Sequence, residues 1–254
     1  MQKTFGHGIG GVLSADIAVP DHKRELNFYS TILTAGCDPL WRNDLTNNLG
    51  TPVIGLGVRT PEYKTLPLQW MPHFQVANVA TSVACAIELG GKELMHAQTD
   101  DGQSKWAVLT DQFGAAFGII PVVADEPDSK GKVKRMGCIA WLSLIVPDAL
   151  SSRNFYQSVV GWCAKSIETN TGDRHFANFE MLRDNEIAAA EISQYRNEHK
   201  GIPSVWLIHL PVDDLVESLR RVREGGGEII KENAQAKYAV VRDPVGAYFV
   251  LEAG

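Results

Sequence analysis

The sequence predicts an α+β fold in which four β-α-β-β-β modules pair into two domains, each with a curved mixed sheet around a cavity. Three observations support this prediction. Motifs of the first half recur in the same order in the second half, each half holds two strand-then-helix patterns, and a glycine-containing hairpin closes each half. Self-similarity of this kind is typical of a chain built from repeated units.

The duplication is visible as motifs that return at fixed intervals. Val19-Pro20-Asp21 returns as Val146-Pro147-Asp148, and Asn27-Phe28-Tyr29 returns after the same interval as Asn154-Phe155-Tyr156. Further motifs return in the same order at slightly different intervals, which insertions and deletions in loops explain, so each half is predicted to be a complete copy. These motifs pair Trp70-x-x-His73-x-x-Val76 with Trp206-x-x-His209-x-x-Val212, Gly90-Gly91 with Gly226-Gly227, and Asp111-x-x-Gly114-Ala115 with Asp243-x-x-Gly246-Ala247.

The join between the copies lies near Pro121 to Met136. This stretch is charged, contains proline and glycine, and lacks a hydrophobic period, which is the composition of a linker. We therefore predict a first domain over residues 1–123, a linker over residues 124–135, and a second domain over residues 136–254. Each domain is expected to contain two modules.

The first module of each half begins with a strand and a helix. Val12 to Val19 is apolar and partly alternating, which favours a strand, and Asp21 is a suitable helix N-cap. The apolar residues that follow fall on one face of a helix. In the first half they are Leu26, Tyr29, Ile32 and Leu33, and in the second half Asp148 is the cap and Leu150, Phe155 and Val159 form the face.

The second module of each half repeats the pattern. The segment from His73 to Val76 is expected to be a strand, Asn78 to cap the next helix, and Gly90-Gly91 to end it, as glycine commonly does. A hairpin around Asp111 to Gly114 follows, and its counterpart in the second half lies around Asp243 to Gly246. One face of each sheet is covered by helices, so the other face is free to curve around a small ligand.

Composition restricts the function class. The chain has 254 residues, a formal net charge of -6, 44% hydrophobic and 21% charged residues, which is ordinary for a globular protein and argues against a nucleic-acid-binding surface. No apolar run approaches the length of a membrane span, and the first residues lack the apolar stretch of a secretion signal. The four cysteines form no C-x-x-C pair, so we expect buried free thiols and a cytoplasmic location.

At this point the residues resemble a known superfamily, the glyoxalase/bleomycin-resistance/extradiol-dioxygenase (vicinal-oxygen-chelate) proteins, and in particular its tandem two-domain members. The resemblance is carried by the Val-Pro-Asp and Asn-Phe-Tyr motifs, by Gly161-Trp162, by the Gly-Gly after the second helix and by the Asp-Pro-x-Gly-Ala hairpin at Asp243 to Ala247. It covers nearly the whole chain and implies the paired β-α-β-β-β fold. It implies little about function, because this fold hosts isomerases, dioxygenases, lyases and drug-sequestering proteins.

The resemblance also implies where a divalent metal ion would be held. Metalloenzymes of the superfamily use His, Gln or Glu from the first and last strands of each module, since such ions need nitrogen or oxygen donors. At the corresponding positions this chain has no good ligand, so we expect no metal cofactor. Those positions are Ser14, Met71, Trp141 and Leu207 on the first strands, and Gly118 and Val250 on the last strands.

Two residues further along the same strands, side chains with useful chemistry recur on the same face. The residues expected to be catalytic, if a reaction occurs, are Asp16, His73 and His209. The residues expected to bind ligand are Ser14, Trp141, Ser143, Glu191 and Glu252. Asp16 and His73 form an acid–base pair if they meet, and Trp141 can stack on a flat ligand. One alternative is a shifted metal site of His209, Glu191 and Glu252, and another is that the histidines make purely structural hydrogen bonds.

Three functions follow from this interpretation. The first is a small-molecule-binding protein without the usual metal site. The second is a lyase or isomerase acting on a small oxygenated substrate through a shifted metal or a His–carboxylate pair. The third is a structural or interaction protein whose cavities are filled by side chains. The expected partner is a small-molecule ligand, not a nucleic acid or a membrane. A monomer is slightly favoured over a homodimer because two copies already supply the pairing.

Overall fold

The computed structural model describes residues 8–33, 53–123, 137–167, 170–171, 174–175, 177–183 and 187–254. The predicted linker at 124–135 lies outside the described residues, as does Cys37. Of the remaining cysteines, Cys85 and Cys163 are free thiols, as expected, and these two and Cys138 are half-buried rather than fully buried.

Over its described residues, the first half forms one six-stranded mixed sheet with two helices. The strand order is β2-β1-β3-β6-β5-β4, in which β1 is parallel to β2, β3 is parallel to β6, and β1 and β3 join the two modules in antiparallel fashion. The elements are β1 (Val12–Val19), α1 (His22–Ile32), β2 (Val53–Val58), a 3-10 turn (Pro61–Tyr63), β3 (Met71–Val76), α2 (Val79–Glu88), β4 (Lys92–Gln98), β5 (Ser104–Thr110) and β6 (Ala116–Pro121).

The second half forms an eight-stranded sheet with the same plan. The order is β14-β15-β16-β13-β7-β12-β11-β8, with β7 and β13 antiparallel at the module junction and each parallel to its outer neighbour. The elements are β7 (Trp141–Val146), α3 (Ala149–Val160), β8 (Cys163–Ile167), a small ribbon of β9 (Asn170–Thr171) and β10 (Arg174–His175), β11 (Asn178–Arg183), β12 (Ile187–Gln194), a 3-10 turn (Asn197–His199), β13 (Trp206–Val212), α4 (Leu215–Glu224), β14 (Glu228–Asn233), β15 (Tyr238–Arg242) and β16 (Tyr248–Ala253). The predicted α+β class is confirmed.

The helix starts fall where the sequence places them. Asp21, Asn78, Asp148 and Asp214 are the N-caps of the four helices, and the side chain of each accepts a hydrogen bond from a backbone N–H in the first turn. A cap of this type stabilises a helix by about 1 kcal/mol because it satisfies an otherwise unpaired donor. Local chemistry therefore determines where each helix begins.

A single core joins the two halves. The inner faces of both sheets and all four helices contribute to one buried cluster, with α1 packed against α4 and α2 against α3. At its centre Phe74 of the first sheet meets Trp206 of the second, with ring centroids 5.5 Å apart. Trp70 and Trp206 are fully buried. None of the helices in the described part of the chain has both the length and the apolar composition to cross a bilayer.

The buried face of α1 differs from the predicted one. Leu26 is only half-buried, whereas Glu25 and Phe28 are buried together with Tyr29 and Ile32. The reason lies in the other half, where Phe28 packs against glycines after α4, so closely that a Cβ at Gly225 would lie 2.7 Å from the ring. The packing of the two halves thus rotates the buried face of this helix away from the face predicted by its own pattern.

Two reciprocal hydrogen-bond sets tie the halves together. Tyr29 of the first half donates to Asp243 of the second at 2.8 Å and accepts from the Trp70 indole at 3.0 Å. In the counterpart set Tyr156 donates to Asp111 at 3.2 Å and accepts from Trp206 at 2.9 Å. Burial raises the pKa of both tyrosines well above the usual value, so both remain neutral donors. These are the residues of the repeated motifs, so those motifs serve the interface between halves.

Candidate functional site

The outer face of each sheet carries the candidate site. Side chains along a strand point alternately to opposite faces. On β13, Ile208 and Leu210 lie in the core shared with the helices, so Leu207 and His209 point to the outer face. By the same alternation Trp141 and Ser143 of β7 point outward. All the predicted site residues lie on strands of this kind, on the side away from the helices.

Each outer face has its own apolar cluster, separate from the main core. The clusters border the polar site residues and give each face the mixed apolar and polar character of a small-molecule site. On the second half the cluster consists of Ile145, Ile202, Val205, Leu207, Val240 and Val250, with Ile230, Tyr238 and Tyr248 packed against it. On the first half it consists of Leu66, Met71, Val108 and Ala116, with Tyr63, Leu94 and Met95.

In the second half, three side chains from adjacent strands form a continuous hydrogen-bond chain. The Ser143 Oγ lies 2.9 Å from His209 Nε2, and His209 Nδ1 lies 3.0 Å from Glu252 Oε2. An ionised carboxylate can only accept, so the contact with Glu252 assigns the ring hydrogen of a neutral His209 to Nδ1. Nε2 is then an acceptor for the Ser143 hydroxyl. The His209 side chain remains 15% exposed, so ligand can reach it.

Glu191 lies beside the hydrogen-bonded series of Ser143, His209 and Glu252 but is not part of it. It is the cross-strand neighbour of Ser143, and its Oε1 accepts a hydrogen bond of 2.6 Å from Ser193 Oγ. Within the described residues no group of three His, Cys, Asp or Glu side chains is arranged to hold a metal ion. In the alternative that the sequence left open, Glu191 would join His209 and Glu252 at a shifted metal site, whereas in this structure Glu191 accepts from Ser193.

In the first half, the predicted Asp16–His73 pair is formed. Asp16 Oδ2 lies 2.8 Å from His73 Nδ1, and both side chains are largely buried. Ser14 joins the same side of the ring, with its Oγ 3.1 Å from Nδ1 and 3.2 Å from the Asp16 carboxylate. The serine and the acid thus share one ring nitrogen here, whereas in the second half they occupy opposite ring nitrogens.

Gly118 provides the space for the His73 ring. It is the cross-strand neighbour of His73, and a Cβ built on it would lie 1.8 Å from the ring Cδ2 and 2.5 Å from Nε2. The sequence singled out Gly118 only as a missing metal ligand. The imidazole takes the volume that a side chain at that position would fill.

We expect Gly118→Ala to displace the His73 ring and break its contact with Asp16. The added methyl group cannot coexist with the present ring position, and repacking of this kind destabilises by about 1–3 kcal/mol. The change would be seen as altered ¹⁵N chemical shifts of the His73 imidazole, together with a lower melting temperature. The control is Gly57→Ala on β2, where a Cβ would lie 3.9 Å from its nearest neighbour. Unchanged imidazole shifts in Gly118→Ala would contradict this account of the site.

Trp141 lies next to the second-half histidine. It is the cross-strand partner of His209, and only 7% of its surface is exposed. The Trp141 indole therefore lies close to any group that approaches His209, and aromatic contacts with an indole are favourable. Ser193 was missed by the sequence analysis. It lies two residues after Glu191, so the strand period would have placed it on the same face.

The donors at the customary metal positions do not fit a divalent ion. Trp141 and Leu207 offer no donor, Met71 offers only a thioether, and Gly118 and Val250 have no side-chain donor at all. Hard and borderline ions require nitrogen, oxygen or thiolate ligands. Ser14 is the single oxygen in the set and it is engaged with His73.

The two halves follow the same plan, and each carries a histidine–carboxylate contact on its outer face. Residues 138–251 match the family model of the Glyoxalase/Bleomycin resistance protein/Dioxygenase superfamily. The match lies in the second half of the chain, and it confirms the resemblance seen in the sequence.

Relatives among characterised sequences span much of the chain. A protein of Mycobacterium bovis named "Putative glyoxylase CFP32" is 26% identical over 189 residues, which are 72% of this chain and 69% of the relative. The "Anthracycline biosynthesis protein DnrV" of Streptomyces peucetius is 28% identical over 130 residues, which are 45% of this chain and 46% of the relative. The similarity to the first relative extends well beyond a single half.

Solved structures share the whole two-domain architecture. An extradiol ring-cleaving dioxygenase from B. fuscum has a TM-score of 0.55 at 13% identity, with 98% of this chain and 73% of the other chain covered. The 2,2',3-trihydroxybiphenyl 1,2-dioxygenase from Sphingomonas wittichii has a TM-score of 0.51 at 12% identity, with coverages of 98% and 91%. At these identities the likeness shows the fold alone.

Proposed function

We propose that the chain is a small-molecule-binding protein of the glyoxalase fold that works without the metal site of its metalloenzyme relatives. One observation carries the proposal: each outer face presents a histidine in contact with a carboxylate, while the customary metal positions beside it offer a single oxygen, the engaged hydroxyl of Ser14. A hydrogen-bonding imidazole in an apolar surround is a suitable anchor for an organic ligand.

The surroundings define the class of ligand. On the second half, Trp141 is the cross-strand partner of His209, and Tyr238 and Tyr248 pack against the aliphatic cluster of the same face. Such a face suits a molecule with a flat apolar body and one hydroxyl or carbonyl group that exchanges a hydrogen bond with the imidazole. The names of the relatives, a glyoxylase and anthracycline biosynthesis proteins, agree with a small oxygenated organic compound.

The metal-independent part of the proposal is tested by elemental analysis. We expect the purified protein to contain far less than one divalent ion per chain, and its melting temperature to be unchanged by a chelator. The physical reason is the donor set, which offers one engaged serine oxygen at the customary positions. Stoichiometric zinc, nickel, manganese or iron that is lost in His209→Ala would contradict the proposal.

Ligand binding is tested with 4-nitrophenol, which has a flat apolar ring and a hydroxyl group. We expect NMR shift changes confined to the two outer faces, and their loss on the second face in Leu207→Trp, which fills the apolar cluster beside His209. The matched control is Val216→Trp on the exposed side of α4. Shift changes elsewhere, or none at all, would count against the outer faces as ligand sites.

A second candidate is an isomerase or lyase that uses a His–carboxylate pair. The observation that favours it is the Nδ1 contact of His209 with Glu252, because it leaves Nε2 able to take a proton. Such an enzyme would exchange an acidic C–H of a bound carbonyl compound with deuterium from D₂O. The exchange would be lost in His209→Asn.

A further inference from the structure

We infer that Ser143, His209 and Glu252 form a nucleophilic relay that transfers small acyl groups from esters to water. The inference rests on the proposed ligand site of the second half and adds an activity to it. Its basis is the order of the contacts: serine to Nε2 at 2.9 Å, then Nδ1 to a carboxylate at 3.0 Å. A serine on one ring nitrogen and an acid on the other is the arrangement that activates a hydroxyl as a nucleophile.

The neighbouring groups leave this relay intact. Glu191, the strand neighbour of Ser143, is the other carboxylate beside the hydroxyl, and it accepts its hydrogen bond from Ser193 instead. The Ser143 hydroxyl is therefore directed to His209. The three relay residues lie on the paired central strands β7, β13 and β16, which fix their relative positions better than loops would.

The first half shows why the inference concerns the second half only. There Ser14 and Asp16 both contact Nδ1 of His73, and Nε2 lies over Gly118. A serine that shares its ring nitrogen with the carboxylate cannot pass its proton to the opposite nitrogen. The same fold thus holds a relay on one face and a closed hydrogen-bond triangle on the other.

Water is the only co-reactant that the reaction needs. Ser143 Oγ attacks the ester carbonyl carbon while its proton passes to His209 Nε2, and the carbon–oxygen bond to the alcohol breaks as the alcohol takes that proton. Water then attacks the acyl-serine, gives one proton to Nε2, and the carboxylic acid leaves while Ser143 regains its proton. Glu252 is a positioning residue that holds the ring with Nδ1–H toward itself. The apolar cluster around Leu207 and Val250 suits a short aliphatic acyl group.

The experiment combines a fluorophosphonate probe with hydrolysis of 4-nitrophenyl butyrate by the full-length chain. We expect one covalent adduct on Ser143 by peptide mass spectrometry and ester hydrolysis above the buffer rate. Ser143→Ala should abolish both. His209→Asn and Glu252→Gln should lower kcat by roughly 10²–10⁴-fold, and Glu252→Gln should leave KM nearly unchanged, which a general loss of structure would not do. The control is Ser166→Ala on the exposed part of β8, which should be labelled and should hydrolyse the ester at wild-type rates.

The possible results separate this inference from the proposed function. An unlabelled Ser143 in a protein that still binds 4-nitrophenol on the second face would overturn the relay alone. If Ser143 were unlabelled and the second face did not bind 4-nitrophenol, both the relay and the ligand site would be overturned. Hydrolysis that persists undiminished in Ser143→Ala would also overturn the relay, because another nucleophile would then be responsible.

Discussion

Glu25→Gln is expected to raise the free energy of unfolding by about 3 kcal/mol at pH 8.5 and to have little effect near pH 4.5. Glu25 of α1 is fully buried, and neither carboxylate oxygen has a hydrogen-bond partner among the described residues. Burial, with a contribution from the nearby Asp243 charge, raises the pKa of Glu25 from 4.5 to about 7. Asp21 acts in the same direction and Arg24 opposes it.

The sign of the effect follows from proton binding. Between pH 4.5 and 7 the folded chain keeps a proton on Glu25 that the unfolded chain has released, so stability falls as pH rises through this range. Each pKa unit is worth about 1.4 kcal/mol, and the loss is complete above the folded pKa. Glutamine is neutral at every pH, so the variant lacks this decline.

The measurement is urea unfolding of wild type and variant at both pH values. The matched control is Glu62→Gln, at an exposed carboxylate with no such burial, which should change stability by less than about 0.5 kcal/mol. A Glu25→Gln effect of equal size at both pH values would mean that the folded and unfolded chains release the Glu25 proton at the same pH, which would contradict the raised pKa of Glu25.

Asp111→Ala is expected to lower the free energy of unfolding by about 3 kcal/mol at neutral pH. Asp111 accepts hydrogen bonds from the backbone N–H groups of Phe113 and Ala115, at 2.8 Å and 2.9 Å, and from the Tyr156 hydroxyl of the other half. Removing the carboxylate leaves several donors without an acceptor, at about 1–3 kcal/mol for each buried one. Part of this loss is offset, because burial raises the pKa of Asp111 to about 6 and the charged form is itself unfavourable.

Chemical unfolding together with the indole N–H signal of Trp206 would test this prediction. Trp206 donates to Tyr156, so its signal should shift when Tyr156 loses Asp111. Asp111→Asn keeps an acceptor oxygen and should lose clearly less stability than the alanine variant. Asp101→Ala, at an exposed carboxylate of the β4–β5 turn, is the control. Equal losses in the Asp111→Ala and Asp101→Ala variants would refute the interface role of Asp111.

Much of the fold could be predicted because the relevant signals are local. The caps at Asp21 and Asp148 lie within one turn of the groups that they satisfy, and the strand of Val12 to Val19 is recognisable from its own residues. The repeat then transfers each assignment from one half to the other. The burial of Glu25 and Phe28 could not be predicted in this way, because the surface that buries them belongs to the distant α4 region.

The candidate site was predictable in its composition but not in its connections. The resemblance supplied one strand position on each cavity face, and strand alternation extended that face by two residues to Asp16, His73, Ser143 and His209. Whether a serine meets Nδ1 or Nε2 depends on the stagger between strands and on the ring rotamer, neither of which a sequence pattern encodes. For the same reason Gly118 could be recognised as a missing ligand but not as the space for an imidazole.

The shared layer of helices leaves this chain with two separate outer sheet faces, one on each half. Both inner faces belong to one core, so the outer faces point away from each other. A compound on one outer face would not touch a compound on the other. The two outer faces also differ in how the acid and the serine surround the imidazole. The proposed function therefore predicts two ligands per chain, which can differ in chemistry, with no steric competition between them.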